Sequence, residues 1–319
     1  MAKVIGIRVL RLVFTLFAVT VLTFLMTKLL PGDPINAILG TSSQRDPAVV
    51  ERIRAELHLD DSIPSQYVRW LGDAVTGDLG YSYITDQPIA DTIGQRAPVS
   101  AQLALMAIGL AVLMAIPIGV LGAYTQSRWP DALSSRFVQV ALSVPNFIVG
   151  IFLIFFFAVK LEWLPASNWT RLERNLSNLP ANLKTSIMPA TALALSQMAI
   201  FSRLVRSDMI ATLQENYVLS AKAKGLSNRF ILFRHALRPS SFSLITIAGI
   251  NFGALLGGTV VIERVFALPG LGSRLLSAIE QRDVLVIQGI TVFIAVVYVV
   301  VNTLVDLFYT FIDPRIRRS

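Results

Sequence analysis

The sequence predicts an all-α, polytopic membrane protein with six transmembrane helices and an extracytoplasmic insertion after the first span. Three observations predict it. Of 319 residues, 54% are hydrophobic and 15% charged, where a soluble domain carries about 25% charged residues, and the mean hydropathy is +0.63. Six runs reach the roughly 17 to 25 mostly apolar residues that a helix needs to cross the hydrocarbon core. Lys and Arg, finally, collect in alternate connections between those runs. A typical soluble enzyme is excluded. The absence of Cys also excludes disulfides, thiolate metal sites and a Cys nucleophile.

The first span, 9–30, follows Lys3 and Arg8 and contains Arg11 near its start. It outruns the apolar core of a secretory signal, about 7 to 15 residues, and meets no A-x-A cleavage site, so it is expected to be retained. Lys28 at its outer end can snorkel to the headgroups. The insertion, 31–97, opens a helix at Asp46-Pro47 with Val49, Val50, Ile53 and Leu57 at helical spacing. Tyr67, Trp70 and Leu71 repeat that spacing before the turn residues Gly77 and Gly80. Two such short helices cannot form a core alone and should pack on the outer ends of the spans.

Spans 100–124 and 133–159 follow, with Pro117 and Pro145 expected to kink them because each removes a backbone donor. The fourth is 187–205. After it, 208–224 reads as a helix ended by Gly225 at C′, and Ser227-Asn228 caps a second, 229–237, stopped by Pro239. In the fifth span, 242–262, Gly249, Gly253 and Gly257 would let another helix approach closely, from this chain or from a partner. The last, 284–311, carries Asp306 and, one turn earlier, Asn302. An acid within a span is a functional candidate, though near the inner end it also serves as a solvated or paired carboxylate. The organisation expected is 1–30 for the N-terminus and first span, 31–97 for the insertion, and 98–319 for the remaining five spans with a cytoplasmic loop at 206–240.

Charge sets the sidedness. The N-terminus carries +3, the second connection +1, residues 203–238 +5 and the tail +2; the alternate segments carry −5 (31–97), +2 (160–184) and 0 (263–283). One side therefore totals +11 and the other −3, and the net +8 needs no nucleic acid to explain it. The positive side is cytoplasmic, which places both termini inside.

No catalytic constellation is found. His58 and His235 fall on opposite sides of the membrane and cannot share a metal or a catalytic site. G-x-S-x-G, H-E-x-x-H and the Walker pattern G-x-x-x-x-G-K-[ST] are absent. No cofactor or metal site is predicted, and the residues lining any path stay undetermined.

The cytoplasmic loop is the most informative segment. Tyr217-Val-Leu-Ser-Ala-Lys-Ala-Lys-Gly225-Leu226, followed by Arg234-His-Ala-Leu-Arg-Pro239, resembles the cytoplasmic loop of bacterial ABC importer permeases of the dipeptide, oligopeptide and nickel family. Leu30-Pro-Gly-Asp-Pro34, Gly77-Asp-Leu-Gly-Tyr-Ser82, Glu263-Arg-Val-Phe-Ala-Leu-Pro-Gly-Leu-Gly272 and Arg282-Asp283 match the same family in order along the chain. Leu219-Ser220-Ala221 stands where the general motif begins E-A-A, and the closing Pro falls one place late at Pro239.

The resemblance implies an inner-membrane permease, itself no enzyme, whose loop is a cytoplasmic coupling helix docking on an ATPase through Tyr217, Ser220, Ala221, Lys222, Ala223, Lys224, Gly225 and Leu226. It implies partners: a second homologous permease, two cytosolic ATPase subunits and an extracytoplasmic substrate-binding protein, all within membrane lipid. The insertion either meets that binding protein or braces the outer mouth. Peptides are the leading cargo; nickel, glutathione or another small solute is the alternative, and an ion-coupled carrier or channel is a separate class.

Overall fold

The protein is described from a computed structural model, in which residues 2–29, 51, 54, 60–82, 84–173 and 175–312 are described. The described helices are, in order, α1 (Ala2–Leu29), α2 (Ile63–Thr76), α3 (Ile89–Tyr124), α4 (Trp129–Ser143), α5 (Asn146–Leu153), α6 (Leu179–Leu213), α7 (Asn216–Ala223), α8 (Asn228–Phe230), α9 (Leu237–Gly258), α10 (Val260–Val265), α11 (Leu271–Gln281) and α12 (Val284–Ile312). Wide π turns continue α5 over Ile154–Lys160 and join α8 to α9 over Ile231–Ala236. Among the described residues there is no β-strand beyond an isolated bridge between Tyr81 and Pro88.

The described residues of every predicted span are helical apart from breaks at Val144–Pro145 in the third and at Thr259 in the fifth. Four are long and apolar enough to cross a membrane: α3, α6, the continuous Asn228–Gly258 and the Val284–Leu307 part of α12. Among the described residues, α4 and the helix Asn146–Lys160 pass the same test only as a bent pair, and α1 carries the shorter apolar run Leu10–Met26. The third span is therefore not the single kinked helix expected. It bends by 96° because Val144 leaves helical conformation and Pro145 starts a new helix as its N-cap. Pro117 behaves otherwise: α3 passes through it uninterrupted.

Other boundaries move for physical reasons. α3 begins eleven residues before the apolar run, at Ile89, because Ile89 and Ile93 are buried. The helix expected over 208–224 belongs in part to α6, which ends at Leu213; Glu215 then starts α7 as a new N-cap. Pro239 does not stop the helix: the chain stays helical from Asn228 to Gly258, with the π turn Ile231–Ala236 just before the proline. The helix expected from Asp46 and the Leu30–Pro34 motif lie outside the described residues.

The chain divides into two compact units, Met1–Val99 with Pro269–Val300, and Ser100–Leu268 with Val301–Ser319. In the first, α2 packs on α1 as expected for Tyr67 and Trp70. The Phe24 ring lies 5.4 Å from Tyr67 and 6.0 Å from Trp70, and the Tyr67 hydroxyl shares a hydrogen bond of 2.9 Å with that of Thr20. Lys28, expected among headgroups, instead donates to Gln66 Oε1 and lies over the Phe24 ring. A separate core joins Ile89 and Ile93 to Leu271, Ala278, Val286 and Ile290.

In the second unit α6 is the central element, packing against α4, α5 and α9. Its small buried side chains, Ala194, Ala199 and Ser202 among them, let neighbours approach closely. The core around it includes Ala111, Ala115, Met198, Phe201 and Val205. Gly249 faces Val305 of the same chain so closely that a Cβ there would collide with its Cγ2. Packing within the subunit therefore accounts for that glycine.

Candidate coupling site

α7 has eight residues, too few to be stable alone. Val218 and Ala221, three apart on one face, are buried against Ile231 with Leu213 alongside. This turns the rest outward: Ser220, Lys222, Ala223 and Lys224 are exposed, as are Tyr217, Leu219 and Leu226. Ala221 is thus the one predicted docking residue that is buried. The Ser220 hydroxyl bonds back to Asn216 O at 3.0 Å.

The C-terminus of α7 is closed by a Schellman arrangement. Gly225 N donates to Lys222 O (3.0 Å), and Leu226 N donates to Ala221 O (3.3 Å). Gly225 has φ +76°, with open space where a Cβ would stand, so glycine is required there by conformation and not by crowding. The next helix begins at once, with Ser227 Oγ accepting from Phe230 N at 3.4 Å, as its sequence position predicted. Five of the eight predicted docking residues, Tyr217 and Ser220 to Ala223, therefore ride on a short helix held from beneath and stopped sharply.

Tyr217 reaches across 18 residues: its hydroxyl donates to His235 O at 3.2 Å. Burial, and then the charge of Glu215, push its phenol above the ordinary tyrosine range, so the donated proton stays in place through neutral pH. Sequence reasoning missed this contact, since nothing local in either segment marks it.

Two further polar groupings were also invisible as pairs. Asp131 and Arg206, counted as loop charges, form a two-pronged ion pair of 2.7 and 2.8 Å, and Asp131 also accepts from Ser127 N. A cavity of about 320 Å³ opens beside Arg206, lined by Arg203 and by serines of α4 and α6. In the first unit, the Gly77–Ser82 motif meets the Arg282-Asp283 motif. Ser82 Oγ donates to Asp283 Oδ2 at 2.5 Å, and Arg274 Nη2 donates to the same carboxylate at 3.2 Å and to Ser82 Oγ at 3.3 Å. All three are buried.

Glu263, also buried, accepts at Oε1 from Ser100 (2.6 Å) and Thr259 (2.8 Å). Asp306 is exposed on α12. Among the described residues no cluster of three His, Cys, Asp or Glu side chains could hold a metal.

α7 is thus a short helix set between two long apolar helices, α6 and the Asn228–Gly258 helix, held on one face and exposed on the other. The family description "binding-protein-dependent transport system inner membrane component" matches residues 115–318, and its N-terminal counterpart matches residues 1–104. The chain belongs to this family: it is a multi-pass inner-membrane permease subunit of an ABC importer that works with other transporter subunits, and it is not an enzyme.

Among its relatives, a peptide transport system permease of Brucella abortus (strain 2308) is 39% identical over 310 residues, 97% of both chains. A peptide ABC transporter permease of Sinorhizobium fredii is 35% identical, covering 98% of this chain and 99% of its own. The glutathione transport system permease of Shigella flexneri is 36% identical over 97% of both. A solved amino acid ABC transporter overlaps with a TM-score of 0.46 at 14% identity, covering 68% of this chain and 90% of that one.

Proposed function

We propose that this chain forms one half of a translocation path for di- or oligopeptides in the bacterial inner membrane, with both termini in the cytoplasm. A second homologous permease completes the path, two cytosolic ATPase subunits drive it, and an extracytoplasmic binding protein delivers cargo near the 31–97 insertion. The functional division is 1–30, 31–97 and 98–319, with 206–240 as the coupling loop. The observation that carries the coupling role is α7 itself, whose anchor residues Val218 and Ala221 leave Tyr217, Ser220, Lys222, Ala223, Lys224 and Leu226 outward. Ala221 acts from beneath as an anchor, and Gly225 as the stop.

Ala223→Trp places a bulky ring on the exposed face without touching the anchor. In the assembled importer it should lower both ATPase co-purification and uptake; normal values for both would remove the docking role. Cargo is decided by titrating the cognate binding protein with peptides, glutathione and nickel. Tight binding of peptides supports the leading reading, and preference for glutathione supports the second, which rests on the relatives named for that tripeptide.

A further inference from the structure

The fifth-span helix begins with a defect. Pro239 has no N–H, so the bond that a regular α-helix would make from position 239 to His235 O cannot form. The His235 oxygen, which thus lacks an i+4 donor, receives the Tyr217 hydroxyl at 3.2 Å. Immediately before it lies the π turn Ile231–Ala236, a widened geometry that recurs at functional sites in helices. Its two ends are gripped by α7. Ile231 at the start is buried against Val218 and Ala221, and His235 near the end takes the Tyr217 hydrogen bond. The His235 ring is also bracketed, with Tyr217 at 6.3 Å and Phe230 edge-on at 5.4 Å.

An apolar anchor fixes where α7 sits but allows sliding, because dispersion contacts have little direction. A hydrogen bond to one carbonyl is directional. We propose that Tyr217 is a positioning residue for energy coupling: its hydroxyl, bound to the carbonyl that Pro239 denies its i+4 donor, transmits displacement of α7 into the π turn and so into α9. Residues on the outer face of α7 receive the push; Tyr217 carries it across to the span. The inference rests on the docking reading of α7 given above.

The test uses the complete importer in proteoliposomes, reading solute moved per ATP hydrolysed. Tyr217→Phe keeps the ring and removes only the hydroxyl; the ratio should fall at least about fivefold, the lower end of ordinary coupling effects. The double variant Tyr217→Phe with Pro239→Ala restores a backbone donor for His235 O without restoring the link to α7. If the hydroxyl only satisfied a stranded carbonyl, the double variant would recover the ratio, and the proposal would be overturned. A ratio still depressed in the double variant supports transmission. An unchanged ratio in Tyr217→Phe, with Ala223→Trp still impaired, overturns the link alone; an unimpaired Ala223→Trp removes the docking reading beneath it.

Discussion

At Arg206 a single side chain holds a buried acid. Asp131 is 6% exposed and sits in the first turn of α4, where a negative charge suits the helix dipole. Its pairing nevertheless depends on the guanidinium fork at 2.7 and 2.8 Å. Arg206→Ala leaves that carboxylate without its charged partner, with Ser127 N still donating to it, and a loss of about 3 kcal/mol is expected, seen as a lower thermal midpoint of the purified complex. Arg206→Lys should recover only part of it, since an ammonium cannot bond both oxygens in a planar fork. Gly225 gives the complementary case, in which the backbone alone decides. Its φ of +76° costs a β-branched residue more than the roughly 1–2 kcal/mol that ordinary L-residues lose there. Gly225→Val should therefore unravel the end of α7 and reduce uptake, while Gly225→Asn, which tolerates this region, should retain most of it.

At the scale of elements, close helix approach depends on what is missing from side chains. A Cβ on Gly119 of α3 would stand 2.8 Å from Val205 Cβ and 3.0 Å from the Ser202 carbonyl oxygen of α6. The backbone oxygen cannot rotate away, so Gly119→Ala should cost on the order of 1–3 kcal/mol and lower the yield of folded protein in detergent. The spans themselves were legible in the sequence because apolar runs of that length have few other uses. The ends were less so. Asp91, Arg96 and Pro98 make the start of α3 look solvated, yet Ile89 and Ile93 bury there. Pro145 was legible as a disturbance, but a proline alone does not distinguish a kink from a 96° break. Within the coupling site, Gly225 and Ser227 were readable because caps are local chemistry. The inward turn of Ala221 and the reach of Tyr217 to His235 were not, since both depend on which face of an eight-residue helix finds the neighbouring chain.

For the whole molecule, the charge asymmetry of +11 against −3 makes a definite statement about sidedness. The natural absence of Cys turns each introduced cysteine into a unique reporter. A membrane-impermeant maleimide should label Asp73→Cys on α2 in intact spheroplasts, and should reach Lys222→Cys on α7 only after the membrane is opened. The reverse pattern would invert the topology. Both positions are exposed on this chain, and Lys222→Cys is read without the ATPase subunits proposed to cover it.

The buried grouping of Ser82, Arg274 and Asp283 also bears on how the protein is made. Ser82 and Asp283 are separated by 201 positions, and the acid precedes the last span directly. During synthesis the Gly77–Ser82 segment is made early and waits without its carboxylate until residue 283 has been added, near the end of the chain. Closure of this grouping is therefore a late event in biogenesis. Asp283→Ala should leave insertion of the early spans intact while exposing the outer segment to membrane quality-control proteases, read as a shortened half-life in pulse-chase labelling.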